Sequence, residues 1–309
     1  MNIENDKFIK FISSQLKPPT TFDEQINKLK NRNLVIENEN FAKEVLKRIN
    51  YYHFTGYLHD FKDLANDCYP KELTFDYIYK IIKFDMRIRN IFLYGMEIIE
   101  RDLKTSISYN FAHSYSEGNI SYMFSRDFKD KDKHSKFISF INKNIRDNEE
   151  LPFIQHHKLN YQGYYPIWVA IELFTLGNLE NFYVLLDNSV QKKIAKEYGY
   201  SKIQFGNWIE AMRRFRNMLA HDMRLYNYKV VSTPAKTKEF PITTYKIFDY
   251  VLVMRILIRD KEEWNNKILK DIKNTFNEFL EVIDISCIGF PEDWESYLKI
   301  DNKNIEKHS

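Results

Sequence analysis

The sequence is short of the residues that tight turns demand. It has 8 glycines and 8 prolines in 309 residues, well below ordinary usage of ~7% and ~5%. No GxxxxGK[ST] or GxGxxG string occurs, so the glycine-loop routes to ATP and dinucleotides are excluded. A kinase or a Rossmann enzyme is therefore not encoded here. Only two cysteines occur, Cys68 and Cys287, too far apart for a metal-ligand spacing or a disulfide framework, as befits a reducing compartment. Apolar runs are short. The stretches Ile91 to Ile99 and Tyr250 to Ile258 are interrupted by Glu97 and Arg255, and neither approaches the ~20 apolar residues that span a bilayer. The start, MNIENDKFIK, lacks the apolar segment of a secretory signal. The expectation is a soluble, cytoplasmic protein without membrane contact.

What is abundant is aromatic. With 24 Phe, 21 Tyr and 4 Trp, and 44% apolar residues overall, the chain can bury a large core, which excludes wholesale disorder. Net charge is only +3 from 46 basic and 43 acidic groups, so a basic partner surface has to come from uneven distribution.

Helical periodicity runs through the chain and no segment alternates cleanly enough for a strand. Thr21 with Glu24 forms a capping-box pattern ahead of Phe22, Ile26 and Leu29. Phe41, Val45 and Ile49 fit a second short helix, followed by the aromatic turn Asn50 to Gly56-Tyr57. Thr74 to about His113 is free of proline, with apolar residues every three or four positions, and predicts one long helix or two joined near Gly95. Residues 126–164, with the charge run RDFKDKDKHSK, a helix after it and the loop LPFIQHHKLNYQGYYP, read as an exposed insertion. Helices are predicted from Pro166 to near Gly177, over Leu179 to Leu186, and from Ser201 into RNMLAHDMRLYN, with two closing helices after the loop STPAKTKEF. The expected organisation is an N-terminal helical extension (1–73), a helical domain (74–295) and a polar tail (296–309).

Positive charge is concentrated in one place. Ser201 to Lys229 carries six basic residues against two acids, Glu210 and Asp222. At 100° per residue, Arg213, Asn217, His221 and Arg224 share a helix face, and Arg216 lies 140° from His221 with an arm long enough to sweep round. Such a set suits a phosphodiester: Arg holds phosphate, His moves a proton near neutral pH, and Asn orients the His or the ribose. On RNA the 2′-hydroxyl supplies the nucleophile, so no metal is required. A histidine among arginines is more often a solvated or paired surface group. The aliphatic Met218, Leu219 and Ala220 make this a half-buried helix, however, and such a helix seldom carries so many cations without a counter-ion or an anionic ligand.

Arg216-Asn217-Met218-Leu219-Ala220-His221 has the form R-N-x-x-x-H, which resembles the signature of the HEPN superfamily of helical ribonucleases. More specifically, the chain resembles the Abi-like (AbiD/AbiF) abortive-infection family. The blocks that carry the likeness are Pro19 to Gln25, Ile49 to Tyr52 with Gly56-Tyr57, Phe84 to Arg89, Met96 to Glu100, Pro166 to Glu172 and Arg216 to Asn227. The resemblance implies an all-α, HEPN-type helical bundle and a metal-independent endoribonuclease of phage defence, acting as a homodimeric toxin. A small structured RNA antitoxin is an implied partner, and no cofactor is. Arg216, Asn217 and His221 would be catalytic. HEPN toxins silenced by tyrosine adenylylation carry Tyr two residues after the histidine; Met223 stands there, so that control is not implied.

Other candidates follow from the residues. Glu172, with Trp168, Ile171 and Phe174 as neighbours in sequence, would be costly to bury unpaired, and pairing with Arg216 or Arg213 would orient the site. Arg214, Arg224 and Lys229 would track an RNA backbone, and Arg87 and Arg89 either extend that track or pair with Asp85 or a helix neighbour. Glu97, Glu100 and Arg101 are site residues or a solvated face. Tyr51, Tyr52 and Tyr57 stack bases or pack internally, and His156-His157 lacks acids at ligand spacing. Two function classes remain: a metal-independent endoribonuclease, or a non-catalytic RNA-binding scaffold of the same shape.

Overall fold

A computed structural model describes residues 12–13, 15–240 and 243–300. The first ten residues and positions 301–309 of the expected polar tail lie outside these. The fold is all-α: among the described residues the only β-type pairings are two isolated bridges, Val35 with Thr74 and Asp63 with Cys68. Two compact units divide the chain, residues 1–83 and 84–309.

In the first unit, α1 (Phe22–Lys30), α2 (Glu39–Arg48) and α3 (Tyr51–Leu58) each begin at a side-chain cap. Thr21 and Glu24 complete the capping box, with Glu24 Oε2 accepting from the Thr21 N–H at 2.7 Å and Thr21 Oγ1 from the Glu24 N–H at 3.2 Å. Ile26 and Leu29 of α1 and Ala42, Val45 and Leu46 of α2 are buried. Phe75 is the hub of this unit, stacked on Phe54 at 4.3 Å and met edge-on by Phe41 at 6.5 Å. Tyr57 is buried and Tyr52 is exposed.

Helix α4 (Phe75–Ala112) starts in the first unit and opens the second. It is one continuous helix, without a join at Gly95. That glycine makes room for a neighbour, since a Cβ there would lie 2.7 Å from Met254 Sδ. The remaining elements are α5 (Lys131–Asp147), α6 (Pro152–Asn160), α7 (Ile167–Ala170), α8 (Leu176–Leu185), α9 (Asn188–Glu197), α10 (Lys202–Ala220), α11 (Phe248–Leu257), α12 (Lys261–Glu263), α13 (Lys270–Glu278) and α14 (Trp294–Leu298). A π-helical stretch, Trp264–Leu269, joins α12 to α13. Helix α10 is the central post. Its buried residues Phe205, Trp208, Ile209, Met212, Phe215 and Leu219 recur every three or four positions. Phe215 sits 5.6 Å from Phe92 of α4 and 5.0 Å from Tyr250 of α11.

Three expectations are corrected here. The segment read as an exposed insertion buries Phe128, His134, Phe137, Ile141 and Ile154. Charge along α5 marks only its outer face, while Phe137 stacks on Phe182 of α8 at 5.0 Å. His156 and His157 lie within α6, started by Pro152 at its first position, instead of in a loop. The helix opened by Pro166 gives way to a 3-10 turn, Ile171–Leu173, and Gly177 lies inside α8 behind the Thr175 capping box instead of ending a helix.

Phe137→Ala should therefore cost about 3–5 kcal/mol in urea denaturation, as for other buried Phe truncations. A loosely attached insertion would show less than about 1 kcal/mol.

Candidate functional site

Helix α10 starts where Ser201 Oγ accepts the Gln204 N–H at 3.3 Å and stops at Ala220, with His221 as its C-cap. The stop is a Schellman turn. The Met223 N–H donates to Met218 O at 3.1 Å and the Asp222 N–H to Leu219 O at 3.4 Å, while Asp222 takes a left-handed backbone, φ 54°. Aspartate tolerates that conformation better than most residues but, unlike glycine, still at a cost. Here the turn is held from outside.

The holding residues come from α4. Asp85 and Arg89, one turn apart, are 0% and 5% exposed. Asp85 accepts the Leu225 N–H at 2.7 Å and the Tyr226 N–H at 3.0 Å. Arg89 pairs with Asp222 at 2.6 Å and donates to Met223 O at 2.8 Å. Arg89 thus serves the loop and does not extend a phosphate track, whereas Arg87 is exposed and lies 3.9 Å from Glu278. Further along, the Asn227 N–H donates to Cys287 O at 3.0 Å and the Val230 N–H to Tyr245 O at 2.9 Å. Buried Asp249 fixes the segment around Tyr245 by accepting from the Thr244 and Tyr245 N–H groups at 2.8 and 2.9 Å.

The cations of α10 are unequally occupied. Arg213 is ion-paired with Glu180 of α8, and Arg214 with Glu210 at 2.7 Å. Arg216 is exposed, and among the described residues no carboxylate pairs with it. Glu172 does not take the role expected of it. It is exposed and its carbonyl accepts from Lys104 Nζ at 3.0 Å; Trp168 beside it is 52% exposed, so burial imposes no pairing, and the partner of Arg213 is Glu180. Lys229 is exposed and lies 5.9 Å from the Tyr245 ring centre.

Two grooves flank this helix. One, of about 400 Å³, is lined by Arg216, Glu172, Glu97, Glu100, Arg101 and Lys104 among others. The second, of about 310 Å³, takes Arg214, Asn217, Met218 and His221 from α10, facing Tyr228, Val231 and Tyr250. The structure thus brings Asn217 and His221 together with Arg214, and sets Arg216 and Glu172 in a separate groove. The face predicted from Arg213 to Arg224 is interrupted: helical spacing ends at the C-cap, so Arg224 lies in the following loop, where it is half-buried. Sequence reasoning missed Tyr228, Val231 and Tyr250, and it missed the service of Asp85 to the loop. The string Phe84 to Arg89 did show an acid and a base one helical turn apart on an apolar helix, which is a signal of buried pairing.

Fold and site together define an all-helical protein with an exposed basic-histidine helix end clamped by a buried carboxylate. The family model described as Abi-like protein matches residues 44–227, enclosing both the clamp and the helix end. The chain belongs to the Abi-like protein family. Comparisons with curated proteins and with solved structures returned no match. Among the described residues no helix is long and apolar enough to cross a membrane.

Asp85→Ala would leave two buried N–H groups without acceptors, a loss of about 2–6 kcal/mol. Urea denaturation should show that loss, and amide exchange at Leu225 and Tyr226 should quicken in advance of global unfolding. Unchanged exchange would refute the clamp.

Proposed function

We propose that this Abi-like protein acts in abortive infection as a HEPN-type, metal-independent endoribonuclease, with Arg216, Asn217 and His221 at the reacting phosphate. The observation that carries this reading is selective pairing. Glu180 and Glu210 occupy Arg213 and Arg214, while Arg216 and His221 stand exposed at the clamped helix end. A guanidinium without a carboxylate and an imidazole on a fixed turn are groups ready for a phosphate and a proton.

In the reaction, the ribose 2′-oxygen attacks phosphorus and its proton passes to His221 acting as base. The bond from phosphorus to the 5′-oxygen breaks, and that oxygen takes a proton as it leaves. The products are a 2′,3′-cyclic phosphate and a free 5′-hydroxyl. Arg216 offsets charge on the phosphoryl oxygens. One histidine serves poorly as both base and acid, and Arg216 and His221 line different grooves in a single copy. We therefore take the working unit to be a homodimer in which two helix ends share one RNA, restrained as a toxin by an antitoxin such as a small structured RNA.

Incubation of the purified protein with end-labelled RNA in EDTA tests the activity. Cleavage to cyclic-phosphate ends is expected, with His221→Ala and Arg216→Ala each slowing it by roughly 10²–10⁴. Full activity of a folded His221→Ala protein would sink the enzyme reading, and RNA binding without cleavage would favour the scaffold. A strictly monomeric species by light scattering that still cleaves at high dilution would overturn the shared groove.

Salt titration of binding to an uncleavable 2′-deoxy strand should give a log-log slope of about −0.7 per neutralised phosphate. Lys229→Ala is expected to remove about one such increment. Arg213→Ala should remove less, because Glu180 already neutralises that side chain.

A further inference from the structure

The groove of about 310 Å³ beside His221 has features that proton transfer does not need. One wall is a helical stripe of Arg214, Asn217, Met218 and His221, spaced so that all four side chains face one way. The opposite wall is the loop carrying Tyr228, Val230, Val231 and Ser232, with Tyr250 between. Val231 is 96% exposed and Met223 38%, so the chain leaves apolar surface open at the lip of a cationic helix end. The walls are fixed. Tyr250 stacks on Phe215 at 5.0 Å and donates its hydroxyl to Ser232 O at 2.6 Å, and the Val230 N–H is tied to Tyr245 O at 2.9 Å.

We propose that this groove is a nucleobase-binding trough that reads a nucleotide flanking the cut, with Tyr228 and Val231 as its specificity-determining residues. The proposal rests on the reading of the chain as an RNA-acting protein and deepens it. Three observations select a base as occupant. At about 310 Å³ the trough has room for a nucleobase and is too small for a folded segment. Its polar groups are arrayed along one lip: Arg214 held by Glu210 at 2.7 Å, then the Asn217 amide, then His221. The amide makes no hydrogen bond among the described residues, so it has a donor and an acceptor to offer the edge of an unstacked base. Half-buried Tyr228 supplies an aromatic face, with Val231 and Met223 as apolar cover. A phosphate drawn to the basic, histidine-bearing lip would leave its own base over the trough.

The test uses the full chain carrying Arg216→Ala, which lines the other groove and leaves the trough whole, so that RNA survives, and measures binding of four single-stranded homo-oligoribonucleotides by fluorescence anisotropy. One base is expected to bind best, and Tyr228→Ala in that background should weaken the preferred oligomer about tenfold, the loss of one stacked base. Tyr228→Phe, which keeps the ring, should retain the preference. Val231→Ser, at a solvent-exposed position that cannot endanger the fold, should reduce it. Equal binding of all four oligomers, no binding at all, or a preference that survives both Tyr228→Ala and Val231→Ser would overturn the trough. Cut-site mapping with wild-type protein on a random RNA pool separates the two ideas. Cleavage whose flanking preference ignores Tyr228 sinks the trough alone, whereas Tyr228-dependent binding without any cleavage sinks the ribonuclease and leaves the trough standing.

Discussion

Asp85 is a carboxylate with no exposed surface, set in the first third of a 38-residue helix, and much of the site hangs on what it holds. Burying such a group is unfavourable unless its oxygens are filled. The Leu225 and Tyr226 N–H groups fill them, and those are amides that the turn after α10 leaves without helical partners. The exchange is reciprocal: the loop satisfies the acid and the acid satisfies the loop. Arg89 then restrains Asp222 and Met223, which form the Schellman turn that ends α10 at His221. Where the histidine points is thus determined on another helix, more than 130 residues away in sequence.

Ion pairing decides how much of the local positive charge is available. A count of basic residues between Ser201 and Lys229 suggests a strongly cationic face. Glu180 arrives from α8 to neutralise Arg213, and Glu210 reaches one turn along α10 to Arg214. Both pairs are partly solvated, so each contributes little to stability. Their larger effect is to pin long side chains and lower the field around them. Positive charge without a carboxylate partner among the described residues then remains on Arg216 near the helix end and on exposed Lys229 beyond it.

The sequence carried much of this fold in plain view and little of the partner choice. Capping boxes and the 3.6-residue rhythm are local, so α1, α4 and α10 could be read with their starts and faces. The end of α10 was harder, because the residue in the left-handed turn is Asp222 instead of the usual glycine, and the Arg89 contact that holds it there is non-local. Segment 126–164 misled for a related reason. Its charges crowd one side of α5, and His134, Phe137 and Ile141 at three- and four-residue steps form the other side, which a count of charge over the run conceals. Glu172 misled in the opposite sense. Apolar neighbours in sequence suggested burial, but the 3-10 turn through Ile171–Leu173 turns the side chain out to solvent, and Glu180, an ordinary acid in an apolar helix, takes the arginine.

The R-N-x-x-x-H spacing itself contains a geometric constraint that the structure keeps. Five residues of α-helix rotate Arg216 and His221 about 140° apart, so the two side chains leave the helix on different sides for as long as the last turn stays helical. Unwinding that turn would relax the separation, but the clamp prevents it: the Schellman bonds, Arg89 on Asp222 and Asp85 on the next two amides all oppose fraying at this end. A rigid helix end with divergent groups is poorly suited to surrounding a phosphate alone and well suited to presenting one group to each side. On the ribonuclease reading we propose, convergence would come from a long guanidinium arm or from a second helix end, and rigidity here makes the second route the less costly, because it requires no local unfolding.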